Sequence, residues 1–233
     1  MATVATLADR CQLALSDSGA GTWPQATVED WVCDAVRDYS QYFPRIVVSS
    51  VALIGGTPTV HYIDLPTTFI EMVSVEFPTG ENPPAYLERR SIHHPDFWDR
   101  DGYYDILKTD QVVENPAGDT ANRIYFSRLP LGTEGYTLRF LAVHAASGAS
   151  DLITVHTDHQ PILVLFVVWR ALKERQALES ANPDTTSKYL NQLVYAATQA
   201  EQEYRRALER ALTSRSASGI AGPWRADIYD PIY

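Results

Sequence analysis

Residues 161–208 read PILVLFVVWRALKERQALESANPDTTSKYLNQLVYAATQAEQEYRRAL, and this stretch decides the fold class. It opens with a nine-residue run that is apolar all round, so we expect a helix at the centre of the fold. Pro161 fits there because the first turn of a helix tolerates proline. Crossing a bilayer takes roughly 20 apolar residues, so we interpret the run as a buried segment.

A tight connection, SANPD (180–184), separates this helix from a second one. Asp184 or Thr185 is the expected N-cap, because a side-chain oxygen at that position accepts a free amide hydrogen of the first turn. The short connection makes the two helices antiparallel neighbours. The second helix carries an apolar stripe on one face: Leu190, Leu193, Val194, Ala197, Tyr204, Leu208, Ala211 and Leu212.

The N-terminal segment predicts two more helices. Residues 28–44 read VEDWVCDAVRDYSQYFP, with Thr27 as the expected N-cap and Pro44 as the stop. A shorter helix is expected at 3–15, followed by the loop SDSGAG. The apolar stripe of the longer helix is Val28, Trp31, Val32, Ala35, Val36 and Tyr39. Its expected solvent face is Asp30, Asp34, Arg37 and Asp38.

Residues 46–144 read instead as short strands separated by turn residues, which indicates a small antiparallel sheet or sandwich. The first two strands flank Gly55-Gly56 and are predicted to form a hairpin. The segment 69–78 alternates, and its candidates for the inner face are Phe69, Met72 or Val73, Val75 and Phe77. Further strands are predicted within 84–90, 102–107, 122–130 and 136–144.

These elements predict an α+β fold. A helical bundle formed by the N- and C-terminal helices carries an inserted antiparallel β domain and an extended C-terminal tail. The expected parts are 1–44 for the N-terminal helices, 45–150 for the β region, 151–214 for the C-terminal helical hairpin and 215–233 for the tail.

The composition limits the possible functions. A net charge of −10 argues against general affinity for the nucleic-acid backbone, which requires clustered Lys and Arg. It does not argue against a surface that nucleic acid passes without sticking. Cys11 and Cys33 are interpreted as small buried apolar residues in a reducing compartment.

The densest polar cluster is SIHHPDFWDRDGYYD (91–105). As a calcium loop it fails, because Phe97 and Lys108 would stand at the first and twelfth positions, where carboxylates are needed. Adjacent histidines on a strand point to opposite faces, so we interpret the cluster as a solvated loop. One alternative function stays open, a metal-dependent hydrolase that uses His93, His94 and Asp96.

A second group of histidines, His144, His156 and His159, precedes the apolar helix without a zinc-binding motif. Asp158 is interpreted there as a helix cap. The sequence shows no phosphate-binding glycine loop and no nucleophile elbow. It therefore predicts no active site, no metal and no cofactor.

Basic residues gather in and just after the last helix: Arg205, Arg206, Arg210 and Arg215. Glu201 reaches Arg205 at i+4 and Glu203 reaches Arg206 at i+3, so a solvated face with ion pairs is expected. The alternative is a contact face toward an acidic neighbouring subunit.

Four features coincide in order along residues 25–233. They are the helix with a Trp and an aromatic-Pro stop, the strand passage YIDLPTTFIEMVSVEF (62–77), the helix–NPD–helix stretch of 161–208 and an extended tail. In this order they resemble the head-to-tail connector, or adaptor, proteins of tailed bacteriophages. The long β region makes the chain similar to podovirus-type adaptors, which also support a tail nozzle.

The resemblance implies a non-enzymatic structural protein of the virion. Such adaptors form a ring, usually of twelve copies, that docks beneath the portal protein at the capsid vertex. The ring extends the channel for packaged double-stranded DNA without binding it specifically, and it supports the tail nozzle or the next tail component. The implied location is the head–tail junction, after assembly in the host cytoplasm and without a membrane.

The tail carries large side chains among Pro, Gly and Ser. The resemblance implies that it reaches the portal protein and that its anchors are Trp224, Ile228, Tyr229, Ile232 and Tyr233. A tail without any partner is the alternative. A different class of function also stays open: a carbohydrate- or ligand-binding β module on a helical base, with exposed aromatic residues of 97–105 as its platform.

Overall fold

The computed structural model describes residues 2–17, 22–52, 61–107, 122–128, 135–146 and 148–217. The chain divides into two compact units. The helical unit contains the residues up to Phe43 and from His144 onward, and the β unit is Pro44–Val143. The β unit is therefore an insertion in the chain of the helical unit. The finer division at residues 150 and 214 stays a prediction.

The helical unit contains four α-helices in its described part. They are α1 (Val4–Ala14), α2 (Gln25–Tyr42), α3 (Gln160–Ser180) and α4 (Ser187–Ala217). All four correspond to predicted helices, and α4 continues beyond its predicted end at 214. The helix α3 contacts α1, α2 and α4, which confirms its predicted central position.

The predicted caps need correction. The helix α2 begins before Thr27, because the carbonyl of Pro24 already accepts the amides of Thr27 and Val28. At α4, Asp184 and Thr185 are engaged inside the connection, where the Asp184 amide donates to Asn182 and the Thr185 hydroxyl donates to Glu179.

Two other side chains take over the capping positions. The Thr186 hydroxyl accepts the Tyr189 amide at 3.4 Å and so caps α4. Asp158 lies inside a short 3₁₀ turn, Thr157–His159, whose cap is the ring of His156. The capping role predicted for Asp158 is therefore wrong.

The core of the helical unit forms where α1, α2 and the first half of α3 meet. Its fully buried members include Val4, Leu7, Cys11, Val28, Val32, Val36, Leu163 and Val167. From α4 only Tyr204, Leu208 and Ala211 belong to this cluster. The apolar stripe predicted for α2 is buried throughout, while the predicted member Val194 of α4 is 39% exposed.

The β unit contains seven strands in its described part: β1 (Arg45–Ala52), β2 (Tyr62–Asp64), β3 (Phe69–Glu76), β4 (Glu88–Arg89), β5 (Tyr103–Leu107), β6 (Arg123–Phe126) and β7 (Gly135–Ala142). They form two sheets, of order β1-β7-β3 and β2-β6-β5-β4. All pairs are antiparallel except β4 with β5, which is parallel.

The predicted hairpin of the first two strands is wrong. The strand β1 pairs along its whole length with β7, from Arg45 opposite Ala142 to Ala52 opposite Gly135. The strand β2 pairs with β6 in the other sheet. A glycine pair indicates only that the chain can turn locally. Which strands pair with each other depends on contacts between residues far apart in the sequence.

Two register shifts in β3 settle which of its side chains face inward. The extra residues are Ile70 and Val73, since Glu71 pairs with Leu141 and Ser74 pairs with Arg139. Such bulges move the alternation by one position. Phe69, Met72 and Val75 of β3 and Phe77 just after it consequently face inward and join Phe140 in the core of this unit, as predicted, while Val73 is exposed.

The four helices and two sheets confirm the predicted α+β class. The inserted β region is not wholly antiparallel as predicted, because β4 is parallel to β5 in the four-stranded sheet; the three-stranded sheet is antiparallel. Residues 218–233, which hold most of the predicted extended tail, lie outside the described residues.

Candidate functional site

The sequence predicts a protein that assembles, so exposed apolar side chains are the first candidates for function. Single exposed apolar residues are ordinary, and only residues that share a face indicate an interface. In the helical unit they are Leu13, Tyr42, Leu152, Leu178, Val194 and Tyr195. In the β unit they are Ile46, Val48, Ile70, Val73, Tyr86 and Trp98.

The outer face of the three-stranded sheet carries four of these residues. Ile46 and Val48 alternate along β1 and are 57% and 60% exposed. Leu141 of β7 pairs with both Ile46 of β1 and Glu71 of β3, and the bulge residue Ile70 lies next to Glu71. In the same way, Arg139 pairs with both Val48 and Ser74, and the bulge residue Val73 lies next to Ser74. Residues that pair across strands lie on one face. We call this surface, made of these four apolar side chains and the exposed Arg139 at its centre, the outer sheet face.

The far half of the α3–α4 hairpin, residues 170–195, carries a second group, and we call it the hairpin arm. The main core includes α3 only as far as Ala171 and α4 only from Tyr204. In the arm, α3 and α4 therefore pack mainly on each other. Leu178 is 62% exposed and Tyr195 is 71% exposed, so the arm offers apolar surface that the described part of the chain leaves uncovered.

The solvent face of α2 is acidic. Asp30, Asp34 and Arg37 follow one another at helical spacing, and Arg37 Nη1 lies 2.8 Å from Asp34 Oδ1. Glu29 accepts a hydrogen bond from the Gln25 side chain at 3.2 Å. We call this surface, defined by Glu29, Asp30, Asp34 and Arg37, the α2 acidic face. Asp38, predicted to face outward, is half-buried and instead accepts a hydrogen bond from Tyr204.

An open cleft of about 450 Å³ lies within the β unit. Its floor is apolar, formed by side chains that include Val47, Leu138 and Phe140. Two polar groups at its margin are engaged, since Arg45 Nε donates to the Val143 carbonyl at 3.2 Å and Asp64 accepts from the Arg123 guanidinium at 2.8 Å. The cleft therefore offers a mainly apolar floor with these two charged groups held at its edge.

The residues of the hydrolase alternative are engaged in a local network. His94 Nδ1 accepts the backbone amide of Asp96 at 3.2 Å, and the carboxylate of Asp96 lies 3.2 Å from Arg90 Nη1. His93 is exposed, and its amide donates to the Ser91 hydroxyl at 3.3 Å. Within the described ranges, no three His, Cys, Asp or Glu side chains lie close enough to hold a metal ion. The geometry is that of a surface loop stabilised by its own polar groups.

The aromatic platform of the carbohydrate-binding alternative is smaller than predicted. Phe97 is fully buried and Tyr104 is 7% exposed, where burial raises the pKa of the Tyr104 hydroxyl. Tyr103 is half-buried beneath the guanidinium of Arg90, 4.4 Å from its ring centroid. Trp98 alone of the aromatic residues in this stretch is largely exposed.

Two of the histidines that precede α3, His144 and His159, form hydrogen bonds with other parts of the helical unit. The ring of His144 bonds to the Thr154 hydroxyl through Nδ1 and to the carbonyl of Phe43 through Nε2, both at 2.9 Å. Its backbone amide donates to the Ser40 hydroxyl at 3.0 Å. The ring of His159 bonds to the hydroxyl of Tyr39.

Basic residues of α4 occupy the expected solvated face. Arg205 Nη2 donates to Glu201 at 2.7 Å, which confirms the predicted i+4 pair. Among the described side chains of α4, Arg206 makes no pair with Glu203. Arg206 and Arg210 line a shallow depression with Thr213 and Ser214.

The predicted portal-binding anchors belong to the C-terminal tail. Trp224, Ile228, Tyr229, Ile232 and Tyr233 all lie outside the described residues. The outer sheet face and the hairpin arm were missed by the sequence reasoning. The signal available for the arm was Tyr195, a large aromatic residue that falls off the apolar stripe of its own helix.

A helical bundle with an inserted β unit and exposed apolar faces is typical of a structural protein that assembles with other chains. The SU10 adaptor protein family matches residues 2–227. The chain therefore belongs to the SU10 adaptor protein family, a family of bacteriophage adaptor proteins. No curated protein matches the chain. None of the helices in the described ranges is both long enough and apolar enough to cross a membrane.

Proposed function

We propose that this protein is the head-to-tail adaptor of a tailed bacteriophage, of the podovirus type. Copies of the chain form a ring of twelve that docks beneath the portal protein at the capsid vertex. The observation that carries the proposal is the family match across residues 2–227. Exposed apolar faces in both units support it, because a ring subunit must offer surface to its neighbours.

The ring lengthens the DNA channel and acts as a scaffold without catalysis. The net charge of −10 supports this role, since an acidic protein repels the phosphate backbone and lets double-stranded DNA pass without specific binding. The opposite end of the ring receives the tail nozzle or the next tail component. The protein is then a constituent of the virion that assembles in the host cytoplasm.

The portal-binding segment of the proposal is the tail, with Trp224, Ile228, Tyr229, Ile232 and Tyr233 as anchors. Large aromatic and aliphatic side chains bury much area in a partner's pockets and commonly dominate binding. Pro223 and Pro231 reduce the conformational entropy that the segment loses on binding.

The test is co-sedimentation of the full chain with portal particles, compared with a chain that lacks residues 218–233. We expect the shortened chain to fold, because its described core is untouched, and to lose most of its binding to the portal. A matched variant, Trp98→Ala, removes an exposed Trp from the β unit and should bind normally. Equal binding by the full and shortened chains would contradict the portal role of the tail.

A further inference from the structure

The two edges of the three-stranded sheet differ. At the β3 edge, the amide of Leu87 donates to the Val75 carbonyl at 2.8 Å and the amide of Phe77 donates to the Ala85 carbonyl at 3.0 Å, so the chain at 85–87 covers part of that edge. At the other edge, β1 pairs with β7 alone, and across the described residues no backbone hydrogen bond reaches its free side. A free edge strand is a template for pairing with another extended chain.

One side of the β1 edge is the open cleft of the β unit. Arg45, Val47, Ser49 and Val51 alternate along β1 and line this cleft, and Ile63 of β2 lies across from them. The cleft therefore runs beside most of β1, whose eight residues span about 26 Å in an extended conformation. On this side β1 contributes two apolar side chains and one arginine.

The other side of the β1 edge is the outer sheet face. Ile46 and Val48 of β1 are exposed there, and Arg139 of β7 pairs with Val48 and is exposed as well. This side thus also offers two apolar side chains of β1 and one arginine. An extended segment placed along the edge contacts both sides at once, because successive side chains of a strand point to opposite faces.

The charge beside the β1 edge is positive. Among the described side chains, no carboxylate forms an ion pair with Arg45 or Arg139. Asp64 at the cleft is neutralised by Arg123 at 2.8 Å, and Glu71 belongs to β3, on the far side of β7. A segment that adds to β1 therefore meets one free arginine on each of its two faces.

Residues 226–233 of the tail have the complementary pattern. They read ADIYDPIY, which is as long as β1 and carries two negative charges and no positive one. In an extended conformation, each face of this segment holds two large aliphatic or aromatic side chains and one carboxylate: Ile228, Ile232 and Asp230 on one face, and Tyr229, Tyr233 and Asp227 on the other. Both faces match the two sides of the β1 edge.

Pro231 of this segment is compatible with a strand at the edge of a sheet. Alternate residues of a strand direct their amides to opposite sides, and proline is tolerated in an edge strand where its missing N–H would face solvent. The amides of residues 228, 230 and 232 are then the ones that face β1. A proline at 228, 230 or 232 would instead remove a hydrogen bond to β1.

We infer that residues 226–233 of one copy add as a strand to the free edge of β1 in a second copy of this chain. One face of the segment fills the cleft and the other covers Ile46 and Val48. Main-chain hydrogen bonds supply affinity in such strand addition, and alternate side chains supply specificity. The inference goes beyond the proposed function, because this contact forms without the portal protein.

The test is sedimentation of the full chain at increasing concentration without portal particles. We expect the mass to rise beyond that of a dimer, because a contact between two different surfaces of identical chains continues from copy to copy. Val48→Asp places a carboxylate beside the edge and should raise the midpoint concentration at least tenfold. The matched control is Val73→Asp, on the same sheet face but on β3, which should stay within about twofold of the unchanged chain.

A charge exchange tests the segment itself. Arg139→Glu should weaken self-association, and so should Asp227→Lys with Asp230→Lys. The chain that carries all three changes should associate more strongly than the chain with the two lysines alone, because one pair of opposite charges is restored. Excess peptide of residues 224–233 should disperse assemblies of the unchanged chain, and thermal unfolding checks that each variant folds.

Three results would overturn the inference: an unchanged chain that stays monomeric, equal association of Val48→Asp and Val73→Asp, or assemblies that survive excess peptide. Since no portal particle is present in this experiment, its failure leaves the proposed adaptor function untouched. Failure of the full chain to bind portal particles would in turn leave the strand addition standing.

Discussion

The hydroxyl of Tyr204 on α4 donates a hydrogen bond to the carboxylate Oδ2 of Asp38 on α2. The ring of Tyr204 also stacks on Trp169 of α3, with an interplanar angle of 8°. One side chain thus joins three helices. Its burial, with the carboxylate of Asp38 as the second cause, raises the pKa of the Tyr204 hydroxyl.

Tyr204→Phe should destabilise the protein by about 1–2 kcal/mol, because the packing stays and a hydrogen bond to a charged group is lost. The matched control is Tyr195→Phe, which removes the hydroxyl of a residue that is 71% exposed and should leave the free energy of unfolding unaltered. Urea unfolding measures both. Equal stability of the two variants would contradict a structural role for the Tyr204–Asp38 bond.

The same pair predicts a pH dependence at the alkaline end. The folded-state pKa of Tyr204 lies above its unfolded value of about 10. The stabilisation that the neutral hydroxyl gives the folded state is therefore complete below that pH, and it is lost as the pH rises beyond it, because the unfolded chain releases this proton first. Between pH 9 and pH 11 the unchanged protein should lose more stability than Tyr204→Phe. Parallel pH profiles for the two proteins would show that Tyr204 does not cause the loss.

His144→Ala should cost about 1–3 kcal/mol, since it removes bonds to Thr154 and to the Phe43 carbonyl and leaves a part-buried carbonyl without this donor. His93→Ala is the control, because the His93 side chain is exposed. Thermal unfolding of both variants, with the far-UV spectrum as a check of folding, is the measurement. If His144→Ala were as stable as His93→Ala, the hydrogen bonds of the His144 ring would not contribute to the stability of the fold.

Two leucines of α3 should behave differently. Leu163→Ala should cost about 2–5 kcal/mol, because the side chain is fully buried and the change leaves a cavity. Leu178→Ser should change stability by at most about 0.5 kcal/mol, since Leu178 is largely exposed, yet it should weaken ring formation. A stable Leu178→Ser variant that assembles normally would argue against the hairpin arm as a contact surface.

The two cysteines should be unreactive in the folded protein. Burial raises the pKa of the Cys11 thiol to about 12 and also raises that of Cys33, so neither supplies much thiolate at neutral pH. Labelling with a disulfide reagent should be slow in native buffer and rapid for both thiols in urea. Rapid labelling of Cys11 in native buffer would show that the α1–α2 core opens readily.

Local patterns in the sequence predicted the helices well. The stripe from Val28 to Tyr39 and the central position of the run at 161–169 follow from periodicity and apolar content alone. The predicted N-caps were wrong because a cap needs a polar group that is free to accept the amide hydrogen. Asp184 and Thr185 are suitable residue types, but both form hydrogen bonds within their own connection.

The sheets were harder to predict for a physical reason. A strand pattern shows that a segment is extended, but its partner is chosen by contacts far away in sequence, as with Arg45 and Ala142. The ambiguity between Met72 and Val73 came from a bulge, which breaks the alternation that the prediction used.

The surfaces proposed for function were the least predictable. Leu178 is exposed because α1 and α2 cover only the first half of α3. The residue pattern within α3 does not indicate where that cover ends. The charged residues of the α2 acidic face were expected at the surface. A contact between copies, however, requires two complementary faces, and the pattern of a single helix describes only one of them.

The most direct measurement is particle averaging of purified cognate portal particles after incubation with the full-length chain. The adaptor proposal predicts an added ring of twelve copies on one end of the portal, coaxial with the DNA channel. Portal particles that remain bare at saturating protein concentration would contradict it.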